Sequence, residues 1–226
     1  MMVMLPELSV LLFAVVMLCL SLGRKKDLAG PVSQVLSLLV FIASVVAIGA
    51  EGSLFFGAFR VDLFSQLFKI FIAFGLCLVT CMVKSGDEIE GEYRPEFFMF
   101  LGFSAAGLMM LVSCVEMVSI VIALEISSYS LYAAVPLRRE QEGRHLEAAM
   151  KYLFFGAVAT GVMLYGMGYL YGIAGSTFLD VIAQALPRII SEPVGILALV
   201  LTLAGFFFKL SLFPIHFWEP DVYEGA

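Results

Sequence analysis

The stretch Phe206 to Trp218 reads FFFKLSLFPIHFW, and it sets a lysine, a proline and a histidine in a run otherwise apolar enough for the middle of a bilayer. A charge at the centre of a membrane helix costs about 2.5–3.5 kcal/mol on insertion scales, so such side chains face a bundle interior or a wet cavity and usually have partners. Pro214 removes a backbone donor and interrupts the helix. Non-helical backbone survives at membrane depth only where protein or water satisfies it, and broken helices recur at transporter sites. The stretch therefore predicts a membrane helix broken near Lys209–Pro214, with the lysine held in a polar cavity and turned away from lipid.

Composition extends that reading to the whole chain. Of 226 residues, 62% are hydrophobic and 14% charged, whereas soluble domains run near half apolar and about a quarter charged. The apolar residues fall in blocks of roughly 18–24, the length a helix needs to cross the hydrocarbon core. A net charge of −6, with no basic or aromatic-interleaved patch, points away from nucleic acid as a partner. Much of the acidity lies in Asp87-Glu88-Ile89-Glu90-Gly91-Glu92, read as a solvated connection. Cys19, Cys77, Cys81 and Cys114 lie in apolar blocks without a CxxC or a nearby histidine, so they pack as small hydrophobes and no metal or disulfide is expected.

Seven blocks read as transmembrane helices: 4–22, 32–49, 62–83, 97–114, 117–136, 150–171 and 194–213, the last one broken. The first lacks the basic start and small-residue cleavage site of a signal peptide, and its positive charges, Arg24-Lys25-Lys26, follow it. That order predicts an N-terminus outside and a cytoplasmic basic loop, and the loop Arg138-Arg139 to Arg144 falls on the same side. An amphipathic segment at 178–190, after a turn at Gly175-Ser176-Thr177, is expected to lie on the surface. Gly161, Tyr165, Gly168 and Gly172 form a small-residue stripe that predicts close helix packing of the sixth span. The fold class is an all-α integral membrane bundle.

Two ionisable residues stand near the middle of spans, Glu125 and Lys209. Glu125, Ser128, Tyr129 and Tyr132 share one helical face, a carboxylate beside hydroxyls such as a hydrated proton site needs. Thr202, Lys209 and His216 would share a face if the seventh helix ran on. Spacing leaves two readings of Glu125 and Lys209 open: an ion pair that fixes helix packing, or a switch, since burial disfavours a lysine's charged form and a nearby carboxylate favours it. Lys69 and Lys151 stand near span ends and are read as snorkelling, Lys69 with the alternative of packing inside the bundle. His216 is either a satisfied buried histidine or a relay, and Glu7 and Glu116 read as span-end residues.

The segment GFFFKLSLFPIHFWEPDVYEGA, residues 205–226, closely resembles the lysine-bearing broken helix of subunit N of respiratory complex I, the proton-translocating NADH–quinone oxidoreductase. Subunits L and M and the Mrp-type cation/proton antiporters belong to the same antiporter-like family. LPELSVLLFAVVML at residues 5–18, SIVIALEISSYSLYAAVPLRRE at 119–140 and EAAMKYLFFGAVATGVMLYGMGYLYGIAGST at 147–177 resemble further stretches of that subunit, so the resemblance covers essentially the whole chain.

By matching position, the resemblance implies that Lys209 carries protons in the first half-channel and that Glu125 pairs with it and biases its protonation. It implies a place near that pair for Lys151 and one on the path beyond the lysine for His216. The enzyme implied is a proton-translocating NADH:quinone oxidoreductase whose redox chemistry resides in other subunits, with NADH, FMN, iron–sulfur clusters and quinone bound there and no cofactor or metal on this chain. No Gly-rich phosphate loop or cysteine ligand set stands in the sequence to hold one. Partners implied are the lipid bilayer and the other membrane-arm subunits, including antiporter-like subunit M and subunit K. The location implied is the cell inner, or cytoplasmic, membrane.

Residues 1–96 are then three N-terminal helices with their loops, and 97–226 an incomplete first repeat of an inverted-repeat antiporter-like module, the whole forming its N-terminal half. The family chain continues past this point, so the expectation is an N-terminal fragment, a truncated product or one piece of a split subunit. The competing functions are an Mrp-type cation/proton antiporter subunit and a truncated, non-conducting structural subunit.

Overall fold

The computed structural model describes residues 2–23, 26–83, 89, 91–137 and 144–225, and of 144 and 225 the backbone only. Most of the basic stretches from which the orientation is read, 24–25 and 138–143, and most of the acidic residues of 87–92 lie outside the described residues. Contacts divide the chain into two compact units, Met1–Cys114 with Ser119–Gln141, and Val115–Val118 with Glu142–Ala226.

The first unit holds helices α1 (Leu5–Leu22), α2 (Ala29–Val46), α3 (Leu63–Met82), α4 (Arg94–Leu111) and nearly all of α5 (Met117–Ala134). Prolines open α1 and α4, where the missing N–H would have no helical partner. Asp62 and Ser65 form a capping box at the start of α3, the Asp62 carboxylate accepting from Ser65 N at 2.8 Å and Ser65 Oγ accepting from Asp62 N at 2.9 Å. A short antiparallel hairpin, β1 (Gly52–Leu54) and β2 (Phe59–Val61), joins α2 to α3. Beyond Glu7 in its first turn, α1 is apolar on both sides: Val10, Phe13, Ala14 and Met17 are fully buried beside Phe98, Ala105 and Met109 of α4, while Leu8, Leu12 and Val15 stand exposed. That is the pattern of a helix with one side on protein and the other on lipid. Between α2 and α3 the Ser37 and Thr80 hydroxyls meet at 2.8 Å, polar glue of the kind membrane helices use.

The second unit holds α6 (Arg144–Ala174), α7 (Leu179–Ser191), α8 (Pro193–Lys209) and α9 (Glu219–Gly225). With 31 residues, α6 is about 46 Å long, more than the ~30 Å hydrocarbon core, so its ends reach past it. Gly175, at φ 73°, ends it, and Ser176 Oγ then accepts from Phe178 N at 3.2 Å. The segment expected at 178–190 is α7, which buries Ile182 and Ile189 on one side and leaves the rest in contact with its surroundings.

The glycine stripe of α6 requires a correction. A Cβ built on Gly161, Gly168 or Gly172 meets nothing within 4 Å. The close approach is made instead by Gly166, whose added Cβ would stand 2.5 Å from Thr202 N and 2.7 Å from Ala198 O of α8.

Among the described residues five helices are long and apolar enough to cross a membrane: Met2–Leu22, Lys26–Val46, Leu63–Met82, Met117–Leu137 and His145–Ala174. The other two expected spans fall to α4, whose first turn carries Arg94 and Glu96, and α8, a shorter apolar helix. The break in the last one is present: α8 ends at Lys209, five residues before Pro214.

Candidate functional site

Glu125 lies half-buried on α5 in the first unit. Its stretch of helix is held by α4 through Gly107, where a Cβ would stand 2.6 Å from Ser127 N and 2.7 Å from Ala123 O. Only a glycine lets the two backbones close over the residues that flank Glu125. Ser104 and Ser127 add a hydroxyl pair at 2.9 Å beside it. Of the face read from the sequence, Ser128 and Tyr132 are buried and Tyr129 is half-exposed, its ring edge-on to Tyr132 at 5.7 Å. Glu116 is an end-of-helix residue as read: its carboxylate accepts from Val118 N at 3.1 Å at the start of α5.

Lys151, Lys209 and His216 belong to the second unit. Lys209 is the last residue of α8, half-buried, where a cation complements the negative end of the helix dipole. The carbonyls freed by the break are satisfied in turn: Leu210 N donates to Phe206 O at 3.0 Å, Ser211 N to Phe208 O at 3.1 Å and Leu212 N to Phe207 O at 2.8 Å. Ser211 takes φ 50° to make that turn, and the Phe213–Pro214 bond is cis. Because the helix stops, the face that would have joined Lys209 to His216 does not continue. His216 is exposed, its ring 5.8 Å from Phe213, and its carbonyl accepts from Glu219 N at the start of α9.

Lys151 does not simply snorkel. Its ammonium is held by Asp221 of α9 at 2.7 Å and by Glu147, one turn back on α6, at 2.8 Å. Behind it Trp218 is stacked between two rings, Tyr152 at 5.0 Å and Phe208 at 4.7 Å. This three-ring stack ties the backbone beside Lys151 to the backbone beside Lys209. Neither the stack nor Asp221 stood out in the sequence, since their partners are far along the chain and share no helical period. An apolar cavity of about 160 Å³ opens next to it, lined by Phe155, Val158, Ala204 and Phe208 among others, with no polar group to pass a proton. Exposed ion pairs contribute little to stability and are screened by salt. Asp221→Asn and Lys151→Met are therefore each expected to leave the thermal unfolding midpoint of the purified protein where it is. A clear drop would show the pair to be structural.

The largest departure from the sequence reading is in the first unit. Lys69 is fully buried, 2.6 Å from the carboxylate of Glu7, which is itself 1% exposed. Glu7 is therefore not a solvated span-end group, and of the two readings of Lys69 the packed one holds. Lys69 packs inside the bundle, with its Nζ 5.4 Å from the centre of the Phe59 ring. Among the described residues, no three His, Cys, Asp or Glu side chains come together in a way that could hold a metal ion.

Comparison with known proteins is consistent along the chain. Residues 114–226 match the family model described as "NADH:quinone oxidoreductase/Mrp antiporter, TM". A NADH-quinone oxidoreductase subunit N 2 from Opitutus terrae is 46% identical over 225 residues, which cover 98% of this chain and 47% of the relative. A protein of the same name from Syntrophobacter fumaroxidans is 44% identical over 223 residues, again 98% and 47% of the two chains. Among solved structures, a chain of respiratory complex I from Thermus thermophilus superposes with a TM-score of 0.78 at 29% identity, covering 98% of this chain and 47% of that one. The chain spans about half the length of the curated relatives it matches.

Proposed function

The chain belongs to the NADH:quinone oxidoreductase/Mrp antiporter transmembrane family, and from that membership we propose that it works as the proton-translocating subunit N of a membrane NADH–quinone oxidoreductase. The observation that carries this reading is a likeness to subunit N relatives that runs along nearly the whole chain rather than one motif of it. Quinone reduction takes place on other subunits, which hold NADH, FMN and iron–sulfur clusters. This chain's neighbours are the other membrane-arm subunits, M and K among them, and it lies in the cytoplasmic membrane with its N-terminus outside.

In this reading Lys209 carries the proton. A carboxylate near a buried ammonium favours the charged form, and withdrawal of that carboxylate leaves a desolvated cation that gives its proton up. Glu125 is the carboxylate that opens and closes this pairing. Lys209 suits the task by its place: it stands where α8 stops and the backbone turns, with the freed carbonyls already satisfied, so the charge is free to change without unmaking the helix. Lys151 holds a second ammonium on α6, kept in place by Asp221 and Glu147. His216, exposed beyond the break, passes the proton on.

The test is Lys209→Ala, with Glu125→Gln beside it, in the full-length subunit assembled in its complex. Proton uptake and release per quinone reduced are expected to fall while the complex still assembles. Unchanged pumping in both variants would instead make the chain a structural subunit. Sodium-dependent growth rescue by the chain's own complex, without quinone-reductase subunits, would favour a cation/proton antiporter.

A further inference from the structure

We propose that Glu7, Gln66 and Lys69 form a proton-binding site in the first unit, separate from Glu125, Lys151, Lys209 and His216, whose ligands are a proton and the water that delivers it. The site stands on its own geometry and does not depend on the transport reading. All three side chains are at most 1% exposed. Glu7 and Lys69 approach to 2.6 Å, within ion-pair distance, yet the angles are not those of a directed hydrogen bond. Both Glu7 oxygens, Lys69 Nζ and Gln66 Oε1 therefore retain hydrogen-bonding capacity in a buried place, although Gln66 Nε2 is fixed, donating to Ala50 O at 3.2 Å. Buried polar atoms in this condition call for an explanation, and water with two to four polar partners is the ordinary one. Donors and acceptors are both present: an ammonium on one side, carboxylate and amide oxygens on the other.

A clamp between α1 and α3 is the plain alternative, but a buried ion pair is poor at that task, because desolvation can exceed the attraction. What the pair does well is hold one proton that either member can take. The electrostatic surroundings leave that choice to the two residues themselves. The α2 helix carries no ionisable side chain. Those of α4, Arg94 and Glu96, lie in its first turn, where Glu96 accepts from Ser21 Oγ at the opposite end of α1. On α1 and α3 the other titratable groups are Cys19, Cys77 and Cys81, of which Cys19 and Cys81 are exposed. Before α3, Asp62 is engaged by Ser65, and Glu51 and Arg60 are exposed. Lys69 stands six residues into α3, about 9 Å from its start, and Glu7 is the third residue of α1, so water at that end of the bundle has a short way to travel. The proton comes from that water to a Glu7 oxygen and returns to it, with no other bond made or broken.

Dicyclohexylcarbodiimide, an apolar reagent that attaches to carboxyl groups in their protonated form, tests this on the full-length chain assembled in its own membrane complex. The Glu7 peptide is quantified by mass spectrometry over a series of pH values. A proton-binding Glu7 is labelled, increasingly as the pH falls, and Lys69→Gln raises its labelling at neutral pH about tenfold or more, because the opposite charge is gone. Lys69→Arg, which keeps a cation there, stays close to the wild type. If Lys69→Gln does not assemble, the wild-type titration decides alone. A Glu7 that is never labelled, or labelled equally at every pH, overturns the site and leaves the pair a structural clamp.

Discussion

Lys69→Met is expected to destabilise the first unit by about 3–5 kcal/mol, and adding Glu7→Leu to it is expected to recover most or all of that loss. The single replacement leaves a carboxylate at 1% exposure without its cation. No side chain of α2 can replace that cation, and the nearest arginine on α4 is at the far end of the bundle. The surviving oxygens also have no side-chain or backbone hydrogen bond to fall back on. The double replacement removes both charges and puts apolar side chains of similar volume against Phe59, a ring already in the core. Buried pairs exchanged for well-packed hydrophobes are commonly neutral or stabilising. Chemical denaturation of the full-length protein in detergent, followed by loss of helical signal, measures both. A single variant as stable as the wild type would mean that Glu7 is already neutral in the folded chain. A double variant as damaged as the single would mean that the pair holds the helices in register.

How much of this was legible in the sequence differs from place to place, and the reason is physical. The break after Lys209 could be read because a proline and a charge in an apolar run announce themselves locally. The amphipathic helix α7 could be read for the same kind of reason, since Ile182 and Ile189 recur at a helical period within one short segment. The Glu7–Lys69 pair could not. Its members are 62 positions apart, each close to the end of a span, and a charge there is ordinarily solvated at the interface. Only the fold of the first unit, in which α1 and α3 each pack on α2 and α4, shows that both point inward. The Lys151–Asp221 pair, 70 positions apart, was hidden in the same way. Membrane helices blur the usual signal further: with lipid as apolar as the core, α1 buries Val10, Phe13, Ala14 and Met17 yet exposes residues just as apolar, Leu8, Leu12 and Val15.

The glycines of α6 pose that same problem in its sharpest form, and Gly166→Ala is expected to separate α6 from α8 at a cost of about 1–3 kcal/mol, in the range of overpacked cores. The added methyl would stand 2.5 Å from Thr202 N, 2.7 Å from Ala198 O and 2.7 Å from Thr202 Oγ1. Two of these are backbone atoms of a regular helix, which cannot step aside alone, so the whole of α8 has to move. Gly205, on the facing side, makes a second close approach. Its added Cβ would run into Met163 Cβ, which no side-chain rotation can move, with Cγ at 2.9 Å beside it, so Gly205→Ala is expected to cost about as much. Gly161, Gly168 and Gly172 have open space where a Cβ would go, so alanine there gains helix propensity, up to about 1 kcal/mol each. Thermal unfolding in the isolated full-length protein should therefore place Gly166→Ala and Gly205→Ala well below the three stripe alanines. Repeating the series in the assembled complex adds the decisive comparison: if alanine at Gly161, Gly168 and Gly172 is harmless in the isolated chain but blocks assembly, that stripe is where a neighbouring subunit lays its own helix.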